Sequence, residues 1–390
     1  MKNLKIFAET VDEKARAQID LLLEQEAFKD CKVRIMPDVH AGAGCVIGFT
    51  ANLGDKIVPN IVGVDIGCGM LCVDLGKIDM AYARLDRIIR EKIPSGMSVR
   101  DKRIWNVEAQ NLKCFQQLRN VEWLDASMGT LGGGNHFIEI DEDEYGGKYL
   151  VIHTGSRNLG KQVAEIYQDK AVKRLHGQTE VRSAIIKQYK AEGRESEIEA
   201  TLKALKPIKI PKELAYLEGA DAADYLHDMK QCQAFATMNR FRIASDIWNA
   251  YFGEPMPADT PLFETVHNYI DDENMVRKGA ISAKLGERVL IPLNMRDGCI
   301  IGVGLGNPDW NESAPHGAGR IMSRAQARAN VTLDDFQSEM RGIYTTSATA
   351  ETIDEAPQAY KPAQEIIDMI GDTVKIERMI KPVYNFKASE

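Results

Sequence analysis

One glycine-dense turn, GVDIGCGM at residues 63–70, constrains this chain more than any other stretch. It places a carboxylate, Asp65, three residues before a thiol, Cys68. The flanking glycines permit the tight, left-handed backbone conformations that let both groups face one point. Three histidines lie in similar settings, each at the edge of an apolar, strand-like run: His136, His153 and His267. Together these side chains predict a catalytic metal site of one carboxylate, one thiolate and three imidazoles.

Taken singly, each of these five side chains is more often structural than a metal ligand. A buried cysteine packs like a small hydrophobic residue, and a lone histidine often caps or hydrogen-bonds a turn. Three histidines at strand ends beside flexible residues are harder to explain by packing, so the combination favours a metal. Cysteine and histidine suit Zn, whereas a carboxylate with several imidazoles suits Mn or Fe equally well. The spacing alone leaves the identity of the metal open.

Length and composition indicate a globular protein with room for a sizeable core. The 390 residues are 44% hydrophobic and 27% charged, and they contain no apolar run long enough for a transmembrane helix. The N-terminal segment lacks the apolar stretch of a secretory signal. Seven cysteines without paired spacing argue against a disulfide framework. We therefore expect a cytoplasmic protein with no membrane-spanning segment.

The charge balance bears on nucleic-acid binding. Acidic residues exceed basic ones, 57 against 49, so the formal net charge is −8. A protein that binds RNA or DNA by bulk electrostatics is usually basic. Any nucleic acid must therefore be bound by a local basic surface.

The predicted strands and helices alternate without a regular βαβ period, and no Rossmann or P-loop motif occurs. One strand begins at residue 31 and is predicted to end at Pro37. The other predicted strands are 135–140, 148–153, 262–267, 288–304 and the stretch from 373 onward. The predicted helices are 79–93, a weaker 106–118, one that opens after residues 155–156, then 221–251, 318–329 and 361–370. The expected fold class is mixed α/β.

Residues 170–213 are rich in Lys, Glu and Arg and end in a Lys/Pro-rich stretch. A solvated helical face with alternating charges accounts for this composition, and an RNA-contacting lobe is the alternative. The helix after it carries an apolar stripe near helical spacing, formed by Tyr225, Met229, Cys232, Phe235 and Met238. We interpret that stripe as core.

A second constellation lies at residues 313–324, SAPHGAGRIMSR. His316 precedes a Gly-Ala-Gly turn and then Arg320, at the predicted start of a helix. The N-terminus of a helix presents free N–H groups and the positive end of a dipole, so a phosphate could bind there. An imidazole beside a phosphate pocket suggests nucleophilic attack or proton transfer. The alternative, that His316 only caps the turn, is equally compatible with the motif.

These motifs match a family. The blocks MPDVHAGAGCVIG, GVDIGCGM, GTLGGGNHFIEI, HTGSRNLG, HNY followed by RKGA, PHGAGRIMSR and EAPQAYK resemble, in order, the signature blocks of the RtcB-type RNA ligases. The resemblance runs from about residue 30 to the C-terminus. It implies a single compact α/β domain over residues 1–390, with a deep central metal and nucleotide cleft and a helical insertion at about 170–250.

The resemblance also implies an activity. The family joins an RNA 2′,3′-cyclic phosphate or 3′-phosphate end to a 5′-hydroxyl end, in RNA splicing or repair, with GTP and Mn(II). A histidine is guanylylated and passes GMP to the RNA 3′-phosphate, which gives an RNA-3′-pp-G intermediate. The 5′-hydroxyl then attacks that activated end and expels GMP. The expected partners are therefore RNAs with these ends, and an archease-like activator is a further candidate. We expect a monomer.

By motif, His316 would be the guanylylated nucleophile, and the five ligand candidates would hold two manganese ions. Expected contacts to guanylate are Asn135, Glu139, Asn294, Tyr360 and Lys387, with the backbone of Gly317, Ala318 and Gly319. Glu139 suits the N1–H and amino donors of guanine, which adenine does not match. Candidate contacts to phosphate or RNA are Arg157, Lys278 and Arg320.

The segment IPLNMRDGCIIG, residues 291–302, departs from the family pattern. Relatives usually carry serine hydroxyls that touch phosphate there, whereas this chain has Asn294, which can donate a hydrogen bond, and Cys299, which is a poor replacement. Two rival functions stay open. One is a metal-dependent cyclic phosphoesterase, or a 3′-end guanylyltransferase that does not seal; the other is a noncatalytic RNA-binding paralogue. His316 and the five ligand candidates argue against the noncatalytic paralogue. The same metals would serve the phosphoesterase, but Glu139, Tyr360 and Lys387 would then have no purpose.

Overall fold

Helices and strands alternate irregularly along the chain, which confirms the predicted mixed α/β class. The computed structural model describes residues 3–206 and 208–388. Within them the helices are α1 (Glu13–Leu23), α2 (Tyr82–Lys92), α3 (Val121–Ala126), α4 (Arg157–His176), α5 (Thr179–Ala191), α6 (Ile198–Lys203), α7 (Gly219–Phe252), α8 (Arg324–Asn330), α9 (Leu333–Glu339) and α10 (Ala363–Met369). The strands are β1 (Leu4–Ile6), β2 (Val33–His40), β3 (Ile47–Asn52), β4 (Gly69–Gly76), β5 (Phe137–Glu142), β6 (Lys148–Thr154), β7 (Leu262–Val266), β8 (Asn268–Ile270), β9 (Met275–Lys278), β10 (Ala280–Ser282), β11 (Arg288–Asn294), β12 (Gly298–Gly304), β13 (Ser313–Pro315), β14 (Tyr344–Thr345) and β15 (Val374–Lys387).

The strands form three sheets. A five-stranded sheet has the order β1-β2-β3-β9-β8, and a two-stranded sheet pairs β10 with β13. The large sheet has the order β11-β12-β15-β5-β6-β4-β7, with β14 beside β15. Its two edge strands meet where the Thr265 hydroxyl on β7 donates to the Leu290 carbonyl on β11, at 3.4 Å. The large sheet therefore wraps around toward closure and encloses an interior.

Both faces of the large sheet are buried, as the alternation of side chains along β4 shows. Met70 and Cys72 point into the enclosed interior with other buried side chains of the sheet. Leu71 and Val73 point the opposite way and pack with α2 and α7. Because successive strand residues face opposite sides, a strand that is apolar throughout must be covered on both faces. The helices supply the outer cover.

Helix α7 is a core helix. Four residues of its predicted apolar stripe, Tyr225, Met229, Cys232 and Phe235, are fully buried. The prediction was wrong for Met238, whose exposed fraction is 48%. The buried face continues from Phe235 through Asn239 and Ile243, in steps of four residues, so Met238 lies on its flank.

The region 170–250 contains two kinds of helix. Helices α5 and α6 have no buried residue, which fits a charged segment that extends from the core. Helix α7 is buried along most of its length. The helices without buried residues thus lie between residues 179 and 203, whereas α7 belongs to the core of the protein.

Three local predictions were wrong. Strand β2 does not end at Pro37 but continues to His40. Proline has no backbone N–H, and this is tolerated because the register of β2 with β3 shifts between residues 35 and 40. The weak helix at 106–118 consists only of two short 3₁₀ turns, Glu108–Gln110 and Phe115–Gln117. The helix predicted over 318–329 begins at Arg324, because Ser323 and Gln326 form a capping box at that point.

Two further observations concern membrane-spanning helices and cysteines. In the part of the chain that the structure describes, no helix is long and apolar enough to span a membrane. All seven cysteines are free and buried.

Candidate metal and nucleotide site

Four neighbouring strands of the large sheet bring His136, His153, His267 and Cys68 together, because each residue lies at the end of a strand on the same side of the sheet. The strands β5, β6, β4 and β7 are antiparallel neighbours, so the start of one lies beside the end of the next. His136 directly precedes β5, His153 lies near the end of β6, Cys68 directly precedes β4 and His267 directly follows β7. Strand alternation and antiparallel pairing therefore gather ligands that are far apart in sequence.

The turn before β4 places Asp65 beside them. Gly63 and Gly67 adopt positive φ values of 95° and 69°, the left-handed conformation predicted for this turn. A side chain at Gly67 would approach the backbone of Gln233 to 2.8 Å, so only glycine fits. The amide of Asn268 donates to the Asp65 carbonyl at 3.1 Å and fixes the turn against β8.

The five predicted ligands form two overlapping groups. Cys68 Sγ lies 3.3 Å from His153 Nε2, and His153 Nε2 lies 3.4 Å from His267 Nε2. On the other side, Cys68 Sγ lies 3.5 Å from His136 Nε2, which is 3.0 Å from an Asp65 carboxylate oxygen. Each group of three offers ligand atoms within 4.8 Å of one another, and Cys68 belongs to both.

The hydrogen bonds of these rings fit a cation site. His136 Nδ1 lies 2.9 Å from the Leu131 carbonyl and must donate to it, while its Nε2 faces the Asp65 carboxylate. In the neutral tautomer that carries its proton on Nδ1, Nε2 turns a lone pair toward the carboxylate, so a cation between the two atoms would be bound by both. His153 likewise directs Nδ1 to the Asn135 carbonyl, at 3.2 Å, and Nε2 inward. This is the orientation that metal-ligating histidines require.

Burial determines the protonation of the other two rings, His153 and His267. Burial, with a further contribution from neighbouring imidazoles, lowers the pKa of His153 and of His267 well below the usual value for histidine. Both rings are therefore neutral at pH 7 and have a lone pair available. Burial and the nearby Asp65 charge raise the pKa of Cys68 well above that of an ordinary thiol. A divalent cation reverses this effect, because it stabilises the coordinated thiolate directly.

His316 lies next to this cluster, with its ring centroid 4.8 Å from that of His267. Its Nδ1–H donates to a carboxylate oxygen of Asp38 at 2.6 Å, and its backbone N–H donates to the same oxygen at 3.1 Å. Asp38 has no exposed surface. The carboxylate therefore fixes the ring and its tautomer, which leaves Nε2 with a free lone pair.

A cavity of about 280 Å³ opens in front of His316. Its lining unites the predicted nucleotide contacts Asn135, Glu139, Asn294, His316, Gly317, Ala318, Gly319, Arg320, Tyr360 and Lys387, and His153 connects it to the ligand cluster. The sequence predicts that a helix begins near His316, but this prediction was wrong: the helix begins at Arg324. The Gly-Ala-Gly turn after His316 packs against β2. Gly319 has a φ of 78°, and a Cβ there would lie 2.3 Å from the Asp38 carbonyl oxygen.

Glu139 forms the deep end of the cavity. Its carboxylate accepts a hydrogen bond from the Asn385 amide on the neighbouring strand β15. Burial raises the pKa of Glu139 to about 8, and the Asn385 hydrogen bond and the Lys387 charge only partly offset it. Asp141, two residues further on the same strand, is also fully buried. Two carboxyl groups with raised pKa values therefore lie on this strand, because both are buried.

A buried glutamate holds the cationic side of the cavity together. Glu355 pairs with Lys387, accepts a hydrogen bond from the Tyr360 hydroxyl at 2.6 Å, and pairs with Arg320 at 3.1 Å. Burial alone would raise the pKa of Glu355, but the charges of Lys387, Arg324 and Arg320 outweigh it and the pKa is lowered. The carboxylate stays charged and holds these three side chains together in the lining of the cavity.

Three other candidates lie outside the cavity. Lys278 is buried, and its ammonium group donates to the carbonyls of Ala43 and Asn60 at 2.8 and 3.0 Å. Arg157 donates to Thr130 and to the Gly96 carbonyl, next to the ligand cluster. Cys299 faces the buried interior of the large sheet, so it does not replace a phosphate-binding hydroxyl; Asn294 alone of that pair reaches the cavity.

Sequence reasoning missed Asp38, His40 and Glu355. Asp38 and His40 lie in the block MPDVHAGAGCVIG, and Glu355 opens the block EAPQAYK, so the signal was present in motifs already singled out. His40 lines the cavity and donates its Nδ1–H to the Asp38 carbonyl at 2.9 Å. Asp38 contacts His316 and Glu355 contacts Lys387, and spacing gave no indication of these distant pairs.

The structure thus places two groups of candidate metal ligands beside a cavity whose lining includes Arg320, Arg324 and Lys387. The sequence model of the family described as "tRNA-splicing ligase RtcB" matches residues 26–124 and 115–388. The chain is 31% identical to the RNA-splicing ligase RtcB of Escherichia coli K12 over 90% of its own length and 88% of that protein. It is 26% identical to the tRNA-splicing ligase RtcB of Aeropyrum pernix, over 89% and 85%, and 27% identical to that of Pyrobaculum aerophilum, over 96% and 93%. The chain belongs to the RtcB family.

Proposed function

We propose that this chain is a GTP- and Mn(II)-dependent RNA ligase that joins 2′,3′-cyclic phosphate or 3′-phosphate ends to 5′-hydroxyl ends. The observation that carries the proposal is the state of His316. Its Nδ1–H is held by a buried carboxylate, and its free Nε2 faces a cavity that adjoins the ligand cluster. A neutral imidazole in this tautomer is a nucleophile through Nε2.

In the first step, His316 Nε2 attacks the α-phosphorus of GTP, a P–N bond forms, and pyrophosphate leaves. The ring then carries a positive charge, which the buried Asp38 carboxylate at 2.6 Å stabilises. Arg320, Tyr360 and Lys387, which Glu355 holds in the cavity lining, would bind the phosphate and ribose. GMP then passes to the RNA 3′-phosphate, and the 5′-hydroxyl displaces it.

The selectivity for GTP over ATP is assigned to Glu139. As a carboxylate, it accepts hydrogen bonds from the N1–H and the amino group of guanine, and adenine offers no matching pair of donors. The Asn385 amide orients this carboxylate at the deep end of the cavity. Asn135 and Asn294 lie in the same lining.

The cofactor proposal is two Mn(II) ions. Asp65, Cys68 and His136 would hold one, and Cys68, His153 and His267 the other, with the thiolate shared. Bound divalent ions supply charge stabilisation for the phosphate oxygens and the leaving group. The identity of the metal as manganese rests on the family resemblance.

The test is the intact mass of the protein after incubation with GTP and Mn(II), for the wild type and for His316→Ala. A gain of one GMP by the wild type alone supports the proposal. If neither protein gains GMP while manganese is bound, the ligase proposal fails. The result would then favour the metal-dependent cyclic phosphoesterase, which would be assayed on RNA with a cyclic phosphate end.

We further propose a cytoplasmic monomer that acts in RNA splicing or repair. Seven free, buried cysteines suit a reducing compartment. Light scattering tests the monomer. Sealing assays with and without an archease-like activator test whether the ligase needs one.

A further inference from the structure

Two further cavities lie side by side next to the nucleotide cavity. Their volumes are about 360 and 650 Å³, and both are lined by Arg90 and Ser95. The smaller one also shares Lys387 with the nucleotide cavity. Together they form a groove lined by residues 90–102, Arg242 and residues 346–352, which we call the basic groove. It leads across the surface to the wall of the proposed active site.

The basic groove is tied to the active site by hydrogen bonds. Arg157 donates to the Gly96 carbonyl at 3.0 Å from its position beside the ligand cluster. On the other wall, the Lys387 ammonium lies 3.4 Å from the Asn135 carbonyl, next to His136. A chain bound in this groove would therefore reach both the metal ligands and the nucleotide cavity without crossing the body of the protein.

The charge of the groove is locally positive. Its lining includes five cations apart from Lys387, against three acids: Arg90, Lys92, Arg100, Lys102 and Arg242 against Glu91, Asp101 and Glu351. The three arginines are ion-paired with Asp86 or Asp246. Lys92 and Lys102 are exposed, and no carboxylate of residues 3–206 and 208–388 lies within 4.0 Å of either ammonium group. These two lysines are available for an external anion.

We propose that the basic groove binds the phosphodiester backbone of a single RNA strand on its way to the active site, with Lys92 and Lys102 on phosphates. This inference rests on the proposed function. The lining also offers hydroxyl donors of the kind that contact phosphate, including Ser95, Ser98 and Thr346. Met97, 77% exposed, presents an apolar surface to an unstacked base.

The test compares K92Q/K102Q with the wild type in RNA binding. The probe is a fluorescein-labelled, single-stranded RNA with a 3′-phosphate, titrated by anisotropy at several salt concentrations without GTP. The matched control is K187Q/K190Q, which removes two exposed lysines from α5, outside the groove. Each lost phosphate contact reduces the slope of log affinity against log salt by about 0.7 for single strands. We expect a reduction of about 1.4 for K92Q/K102Q, with the same loss of affinity for different sequences.

The proposal is overturned if K92Q/K102Q binds with the affinity and salt slope of the wild type, or if K187Q/K190Q loses as much. Incorporation of GMP from GTP separates this outcome from failure of the proposed function. K92Q/K102Q should gain GMP at the wild-type rate, because neither lysine lines the nucleotide cavity. A wild type that gains GMP but does not bind the RNA probe would overturn the groove and leave the guanylylation step intact.

Discussion

Replacing Asp38 with asparagine should abolish most of the guanylylation rate while the fold persists. The substitution keeps the size of the side chain, and its amide oxygen can still accept the His316 Nδ1–H. What it removes is a negative charge that has no exposed surface and lies 2.6 Å from the ring nitrogen. That charge matters most when the ring becomes cationic, as Nε2 bonds to phosphorus.

The size of the effect follows from electrostatics. Two unit charges about 4 Å apart attract by about 4 kcal/mol at an effective dielectric constant of about 20. Each ~1.4 kcal/mol changes a rate tenfold, so Asp38→Asn should slow guanylylation roughly 10³-fold. The affinity for manganese should change little, because Asp38 is not among the ligand groups.

The assay is the initial rate of GMP incorporation from labelled GTP at saturating Mn(II), with thermal unfolding measured in parallel. The matched control is Asp309→Asn. Asp309 pairs with Arg34, which lies on β2 as Asp38 does. Asp309 itself lies outside the cavity. A rate for Asp38→Asn within about threefold of the wild type, less than 1 kcal/mol, would refute the role assigned to this carboxylate.

Four further predictions follow from named contacts. Glu139→Gln should relax or abolish the preference for GTP in adduct formation, and unchanged selectivity over ATP would contradict the assignment of Glu139. Burial raises the pKa of Glu139 to about 8, and guanine needs the ionised carboxylate. The affinity for GTP, measured by calorimetry, should therefore rise with pH by up to about tenfold per pH unit below pH 8 and level off above it. The Glu139→Gln variant should lack that rise. Cys68→Ala should lower manganese content at both ion positions, since Cys68 belongs to both ligand groups, and a full complement of metal by elemental analysis would argue against a shared thiolate. Phe235→Ala on α7 should cost about 3–5 kcal/mol of unfolding free energy in urea titrations, whereas Ile186→Ala on α5, where no residue is buried, should cost much less; equal losses would mean that α5 is also core.

The proximity of the five candidate ligands could be predicted from the sequence because its signal is local. Glycine at Gly67 marks a left-handed turn, and histidines at the ends of apolar runs mark strand ends. Antiparallel pairing then brings those ends together. The residues of the nucleotide cavity were predicted by the family blocks, and the structure gathers ten of them around one cavity.

The partners of the reactive side chains could not be predicted in this way. Asp38 and His316 are 278 residues apart, and their contact depends on how two different sheets pack. The helix start at Arg324 was predictable in principle, because Ser323 and Gln326 have the spacing of a capping box. The Gly-Ala-Gly turn before it was the more conspicuous feature and was mistaken for the helix N-terminus.

The net charge of the whole chain is only a weak constraint on RNA binding. A net charge of −8 argues against binding RNA by bulk electrostatics, but a phosphate interacts mainly with charges within a Debye length, about 8 Å at physiological salt. Inside the basic groove, the three arginines are ion-paired with buried or half-buried aspartates. These pairs stabilise the fold and leave little net positive charge to attract a phosphate. Lys92 and Lys102 are the exceptions. If RNA reaches the active site along this surface, its salt dependence should report about two phosphate contacts from these lysines, however acidic the rest of the chain is.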